Sequence, residues 1–122
     1  MNSLLIPDSL KTRAQWIAWK LEDRAGKPSK VPYCVRTGRL GKSNDPASWC
    51  DFDTALKAAL NGQAYNGIGF AFHEGDELAG VDVDYPWDSP IAIEIRERFK
   101  GTYCERSPSE KLVSFRWACL IP

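Results

Sequence analysis

The stretch Leu78-Ala79-Gly80-Val81-Asp82-Val83-Asp84 constrains this chain more tightly than any other. Val81 and Val83 alternate with Asp82 and Asp84, and a period of two places both carboxylates on one face of a strand and both valines on the other. The valine face needs a core to cover it, and paired hard-oxygen side chains are what a divalent metal requires. Aspartates at a strand end also serve as solvated turn formers, so spacing alone leaves both roles open.

A chain of 122 residues suits one domain with one core, and we take 1–122 as that domain. The hydrophobic fraction of 43% and five tryptophans argue against disorder. No apolar run reaches the ~18 residues of a membrane span, and the first residues lack the basic start and apolar length of a signal peptide. These features predict a soluble, cytoplasmic protein with no membrane partner. Cys34, Cys50, Cys104 and Cys119 form no Cys-x-x-Cys pair and have only His73 to help them, which speaks against zinc. Reduced, mostly buried thiols are the expectation, although an even count leaves room for two disulfides.

The net charge is zero, but its signs are segregated. Lys11 to Lys42 holds nine Lys and Arg against Glu22 and Asp23, a surplus of seven, whereas Asn44 to Glu94 holds ten acids against Lys57 alone. Such polarity suits a basic rim that guides a polyanion toward an acidic centre, and it equally suits a solvated surface.

Along the chain, Leu5 to Leu10 reads as a lead-in ending in a helical turn. Gln15 to Glu22 fits a buried strand, while Trp16 and Trp19, three apart, could also mark a helix face; in either case both are core. Asp23 to Tyr33 reads as a hairpin-like turn leading into a second strand through Cys34 and Val35, stiffened by Pro28 and Pro32, that presents Lys27 and Lys30 at fixed places. Lysines so placed can meet phosphates or simply keep a turn soluble.

Thr37 to Pro46 is a turn-rich loop. Its Gly38-x-x-Gly41-Lys42-Ser43 is not a P-loop, which needs four residues between the glycines and a strand before them. Asp51 or Asp53 starts a helix over 51–61 with Phe52, Ala55, Leu56, Ala59 and Leu60 as its apolar stripe and Gly62 as its stop, and Trp49 is expected to pack against its start. Tyr65 to Phe72 is a strand, and the short turn His73 to Glu77 predicts that it pairs with the Asp82 strand as an antiparallel hairpin. Gly67 and Gly69 leave space for another backbone or a nucleotide. Ser89-Pro90 opens a second helix over 90–100, which Gly101 closes; Thr102 to Glu105 is another strand. The apolar tail from Leu112 is either a last sheet strand or a contact surface.

Taken in order, Trp16-x-x-Trp19, Gly26-Lys27-Pro28-Ser29-Lys30-Val31-Pro32, Asp45-Pro46-x-x-Trp49, Gly67-Ile68-Gly69-Phe70, Val81-Asp82-Val83-Asp84 and Tyr103-x-Glu105-x-Ser107-Pro108-Ser109 resemble the N-terminal primase-polymerase domain of phage, plasmid and prophage replication proteins, within the archaeo-eukaryotic primase superfamily. The likeness covers roughly residues 5 to 109. It implies an α+β domain with a mixed, largely antiparallel sheet flanked by the 51–61 and 90–100 helices. It further implies Asp82 and Asp84 as catalytic ligands of Mg²⁺ or Mn²⁺ in nucleotidyl transfer. Lys27, Lys30, Ser107 and Ser109 would contact nucleotide or nucleic acid.

After Ser109 the likeness stops. The family continues Gly-Lys-Gly with a histidine two residues later, and here Glu110-Lys111-Leu112-Val113 follows. The family's third carboxylate lies farther downstream than Pro122. The expectation is therefore a domain that binds metal, nucleotide or nucleic acid without full polymerase activity. An alternative of a different class is a non-enzymatic mobile-element protein that binds and inhibits a host or phage nucleoprotein, such as a CRISPR-Cas complex, with the acidic middle segment imitating nucleic acid.

Overall fold

A computed structural model describes residues 6–61, 64–76, 78–83, 85–86, 88–100, 103–106 and 117–121. The chain is α+β and divides into two compact units, residues 1–75 and 76–122. The first holds helix α1 (Asp8–Lys11), strands β1 (Trp16–Arg24) and β2 (Lys27–Tyr33), helix α2 (Phe52–Asn61) and strand β3 (Gly67–Phe70). The second holds β4 (Ala79–Val83), α3 (Pro90–Arg98), β5 (Tyr103–Arg106) and β6 (Trp117–Ile121). Every strand pairing among the described residues is antiparallel.

In the first unit the sheet order is β2-β1-β3. The central strand opens with three consecutive buried residues, Trp16, Ile17 and Ala18, and becomes exposed toward Arg24. Side chains alternate along a strand, so such a run means that the sheet is covered on both faces at this end. On one face Trp16 meets Phe52 of α2 edge-on at 4.9 Å and Phe70 of β3 at 5.3 Å. On the other, Ile17 packs with Trp49 and Ala71. The two tryptophans thus take opposite faces, Trp16 buried and Trp19 half-buried, as an odd spacing on a strand dictates.

Asp51 starts α2: its carbonyl accepts from Ala55 and its carboxylate from the Thr54 N–H at 2.7 Å. That bond and the Thr54 hydroxyl hold the Asp51 carboxyl below its ordinary value. A depressed folded-state value means the cap contributes fully above the usual carboxylate range and is lost as pH falls through that lower value. We expect Asp51→Ala to cost about 1 kcal/mol at neutral pH in urea titrations, and Asp51→Asn to keep most of the cap while removing its acid sensitivity. Phe52 and Ala55 form the buried stripe, whereas Leu60, expected on it, is 70% exposed. Gly62 and Gly101, the expected helix stops, lie outside the described residues.

The segment before α2 explains Asp45-Pro46-x-x-Trp49 structurally. The Asp45 carboxylate accepts from the Ala47 N–H at 3.1 Å and caps a single 3₁₀ turn, Pro46–Ser48, with Pro46 at its first position. Buried Trp49 then donates its indole N–H to the Ser43 carbonyl at 3.2 Å.

The expected hairpin between the 65–72 strand and the Asp82 strand is not formed. β3 pairs with β1, and β4 pairs with β6 in a second sheet of order β4-β6-β5. A short connection favours a hairpin only when neither strand has a better partner, and here the apolar tail supplies one: β6 is the central strand, bonded on both sides. Of the two roles expected for the tail, the sheet strand is the one observed.

Candidate functional site

The β1–β2 hairpin carries Lys20, Arg24, Lys27 and Lys30. Arg24 pairs with Lys27, so Ala25-Gly26 form a two-residue turn, with φ of 54° and 79°. Beyond it, Ala18, Lys20, Glu22 and Arg24 face Tyr33, Val31, Ser29 and Lys27 across the ladder. The alternate positions Pro28, Lys30 and Pro32 point their backbone polar groups to the outer edge, which is the only arrangement prolines allow within a ladder. The two prolines also leave the edge poor in donors, which discourages pairing with another chain.

The hairpin is braced by its side chains. The Lys20 ammonium lies 4.4 Å from the Tyr33 ring centroid and 5.3 Å from that of Tyr65. The Tyr33 hydroxyl donates to the Glu22 carboxylate, which holds the phenol above its ordinary pKa. On the opposite face the Lys30 ammonium sits 4.6 Å from the centroid of Trp19.

After β2 the chain turns back. The Cys34 N–H donates to the Arg39 carbonyl and the Gly38 N–H to the Cys34 carbonyl, both at 2.8 Å, and the Gly41 N–H then reaches the Pro32 carbonyl on the outer edge. A β-carbon on Gly41 would lie 3.0 Å from the Cys34 nitrogen and 3.2 Å from Ile17, so glycine is what lets this backbone close in. The Lys42 N–H is tied to the buried Ser48 hydroxyl at 3.0 Å.

Between the returning loop and the hairpin lies a groove of about 440 Å³. Arg24, Lys30 and Lys42 supply its charge, and Val31, Pro32 and Leu40 its apolar lining, with Ser29 and Gly41 completing it. No carboxylate is among these residues. Cations converging over a low-dielectric floor focus a positive potential, and a half-exposed apolar wall beside them suits a ligand that is both anionic and partly apolar.

Of the residues expected from the sequence, Lys30 lines this groove; Lys27 stands exposed at the hairpin turn and is not among its lining residues. Arg24 and Lys42 line it as well, and no local motif marks either for that role. Their signal was the charge surplus itself, but only the hairpin register and the return of the loop bring them to one place. His73 is exposed and meets Trp49 edge-on at 5.6 Å.

In the second unit, Asp82 lies on β4 opposite Ala118, which is opposite Glu105 of β5. Asp82, Ala118 and Glu105 therefore share one register row across three strands, the outer two about 10 Å apart at the usual strand spacing. Asp84, Ser107 and Ser109 lie outside the described residues. Among the described residues, no three His, Cys, Asp or Glu side chains gather as a metal cage, and no helix is long and apolar enough to cross a membrane. The sequence matches no protein-family model and no curated protein.

Proposed function

We propose that this chain binds nucleic acid, or the phosphates of a nucleotide, through the groove of Arg24, Lys30 and Lys42, as a primase-polymerase-like domain of a mobile element. The observation that carries the reading is the convergence of three cations on one groove with no carboxylate in its lining. Phosphate oxygens are the acceptors such a set recognises, and the apolar wall of Pro32 and Leu40 can meet a sugar or base. Ser29 and Lys27 extend the polar surface along the same hairpin. These ligands are cytoplasmic, and the reading places the chain there.

Asp82 and Asp84 would hold Mg²⁺ or Mn²⁺, which supplies charge neutralisation at phosphate. What supports that assignment is the alternation Val81-Asp82-Val83-Asp84 in the sequence, with two hard-oxygen side chains on one strand face. Polymerase activity is not part of the reading, because Glu110-Lys111-Leu112-Val113 replaces the segment that carries the family's phosphate-contacting histidine.

Fluorescence anisotropy with a labelled single-stranded oligonucleotide tests the groove. Three phosphate contacts predict an affinity loss of about 20-fold between 50 and 200 mM salt, and each of Arg24→Gln, Lys30→Gln and Lys42→Gln should lower the log–log salt slope by about 0.7. Unchanged slopes in all three variants would exclude the groove. Manganese calorimetry on Asp82→Asn/Asp84→Asn tests the metal assignment separately, with loss of binding as the expected result.

A further inference from the structure

The pairing of β5 with β6 sets two cysteines against each other. Cys104 of β5 and Cys119 of β6 are register partners in an antiparallel ladder. Residues directly opposite in such a ladder have Cα atoms about 5.5 Å apart where they exchange hydrogen bonds and about 4.5 Å apart where they do not, and in both cases their β-carbons share one face. A disulfide spans Cα separations of ~4.4–6.8 Å, so either kind of pair lies within its reach. The register decides this, because a slip of one residue sends the two β-carbons to opposite faces. The other two cysteines, Cys34 and Cys50, are buried free thiols of the first unit, and neither is the other's ladder partner.

We infer that Cys104 and Cys119 are a cross-strand disulfide site, joined by exchange with a small disulfide such as oxidised glutathione. The thiolate of one cysteine attacks a sulfur of that reagent, forming a mixed disulfide and expelling one glutathione thiolate. The second cysteine, as thiolate, then attacks the protein-side sulfur of the mixed disulfide, forming the Cys104–Cys119 bond and expelling the other glutathione. Two protein thiols are oxidised, one reagent disulfide is reduced to two thiols, and the two thiol protons pass to the expelled thiolates. β5 is the outer strand in the order β4-β6-β5, so one member of the pair stands at the border of the sheet. The bond fastens the tail strand β6, central in its sheet, to β5, and with it the register in which Asp82, Ala118 and Glu105 form one row.

The test brings the full chain to equilibrium in buffers of graded reduced and oxidised glutathione, once under native conditions and once in urea that unfolds it. Each sample is quenched with acid, alkylated and mapped as non-reduced peptides. The expected product is a 104–119 linked peptide about 2 Da lighter than its two reduced halves, with Cys34 and Cys50 alkylated. Its equilibrium constant should be about 30-fold or more larger in the native chain than in urea, because a bond that fits the folded register is favoured by as much as it stabilises the fold. A constant no larger than in urea would mean that the two cysteines meet only through their nearness in sequence, and would overturn the inference. So would Cys104 or Cys119 linked only to glutathione, to a first-unit cysteine or to a second chain, or both still alkylated in the most oxidising buffer. The readout is thiol chemistry in the second unit, so it stands or falls independently of nucleic-acid binding.

Discussion

Trp16→Ala is expected to destabilise the first unit by about 3–5 kcal/mol, a large share of the ~5–15 kcal/mol available to a domain of this size. Trp16 is 2% exposed and is the largest fully buried side chain among the described residues. Its ring joins α2 to the sheet through Phe52 and reaches across the sheet to Phe70, both edge-on, so its removal opens a cavity shared by three elements. Its indole N–H also donates to the Leu10 carbonyl at 3.0 Å in a buried bond, tying down α1. Trp16→Phe keeps much of the packing and loses only that bond, the Leu10 carbonyl still accepting from the Arg13 N–H at 3.2 Å, and should cost about 0.5–1.5 kcal/mol. Urea titration followed by circular dichroism would separate the two; a Trp16→Ala protein with an unchanged midpoint would show that the core lies elsewhere.

Gly67→Ala and Gly69→Ala should behave oppositely, although both glycines lie on β3 and only one residue separates them. A β-carbon at Gly67 would fall 2.5 Å from Cζ2 and 2.7 Å from Cε2 of Trp19, its direct partner across the ladder. That indole is not free to swing, because its N–H donates to the Ile68 carbonyl at 3.2 Å and its ring carries the Lys30 ammonium. Relieving the clash breaks one of these, and we expect a loss of about 1–3 kcal/mol. Gly69 has nothing within 4 Å of such a carbon, so alanine there should be neutral or slightly stabilising through its lower unfolded-chain entropy. Thermal melts of the two variants decide it, and equal shifts would refute the account. The Gly67-Ile68-Gly69 spacing accommodates a tryptophan of the same chain at its first glycine.

Lys30 connects this packing to the groove. Its ammonium rests on Trp19 while its side chain lines the basic cleft. Gly67→Ala should therefore weaken oligonucleotide binding along with stability, whereas Gly69→Ala should leave both unchanged. That pairing distinguishes a groove whose cation is positioned by the sheet from one in which any lysine of the segment would serve.

Local chemistry determined much of this protein directly. Asp51 and the apolar residues after it specified α2, Ser89-Pro90 specified the start of α3, and the turn-forming Gly26-Lys27-Pro28 run specified the β1–β2 hairpin, because capping, proline geometry and turn conformation act over a few residues. The alternation at Val81–Asp84 likewise specified a strand bearing Asp82. What the sequence could not determine was the choice of partner. β3 joins β1 and β4 joins the tail strand β6, against the hairpin that their short connection favours, since pairing is settled by which surfaces can be buried together across long separations. The same holds for the cations: their surplus is written in the segment from Lys11 to Lys42, but only the register of β2 and the return of the loop past Gly41 decide that Arg24, Lys30 and Lys42 meet in one groove, because convergence of side chains is a property of packed backbone and not of spacing along it.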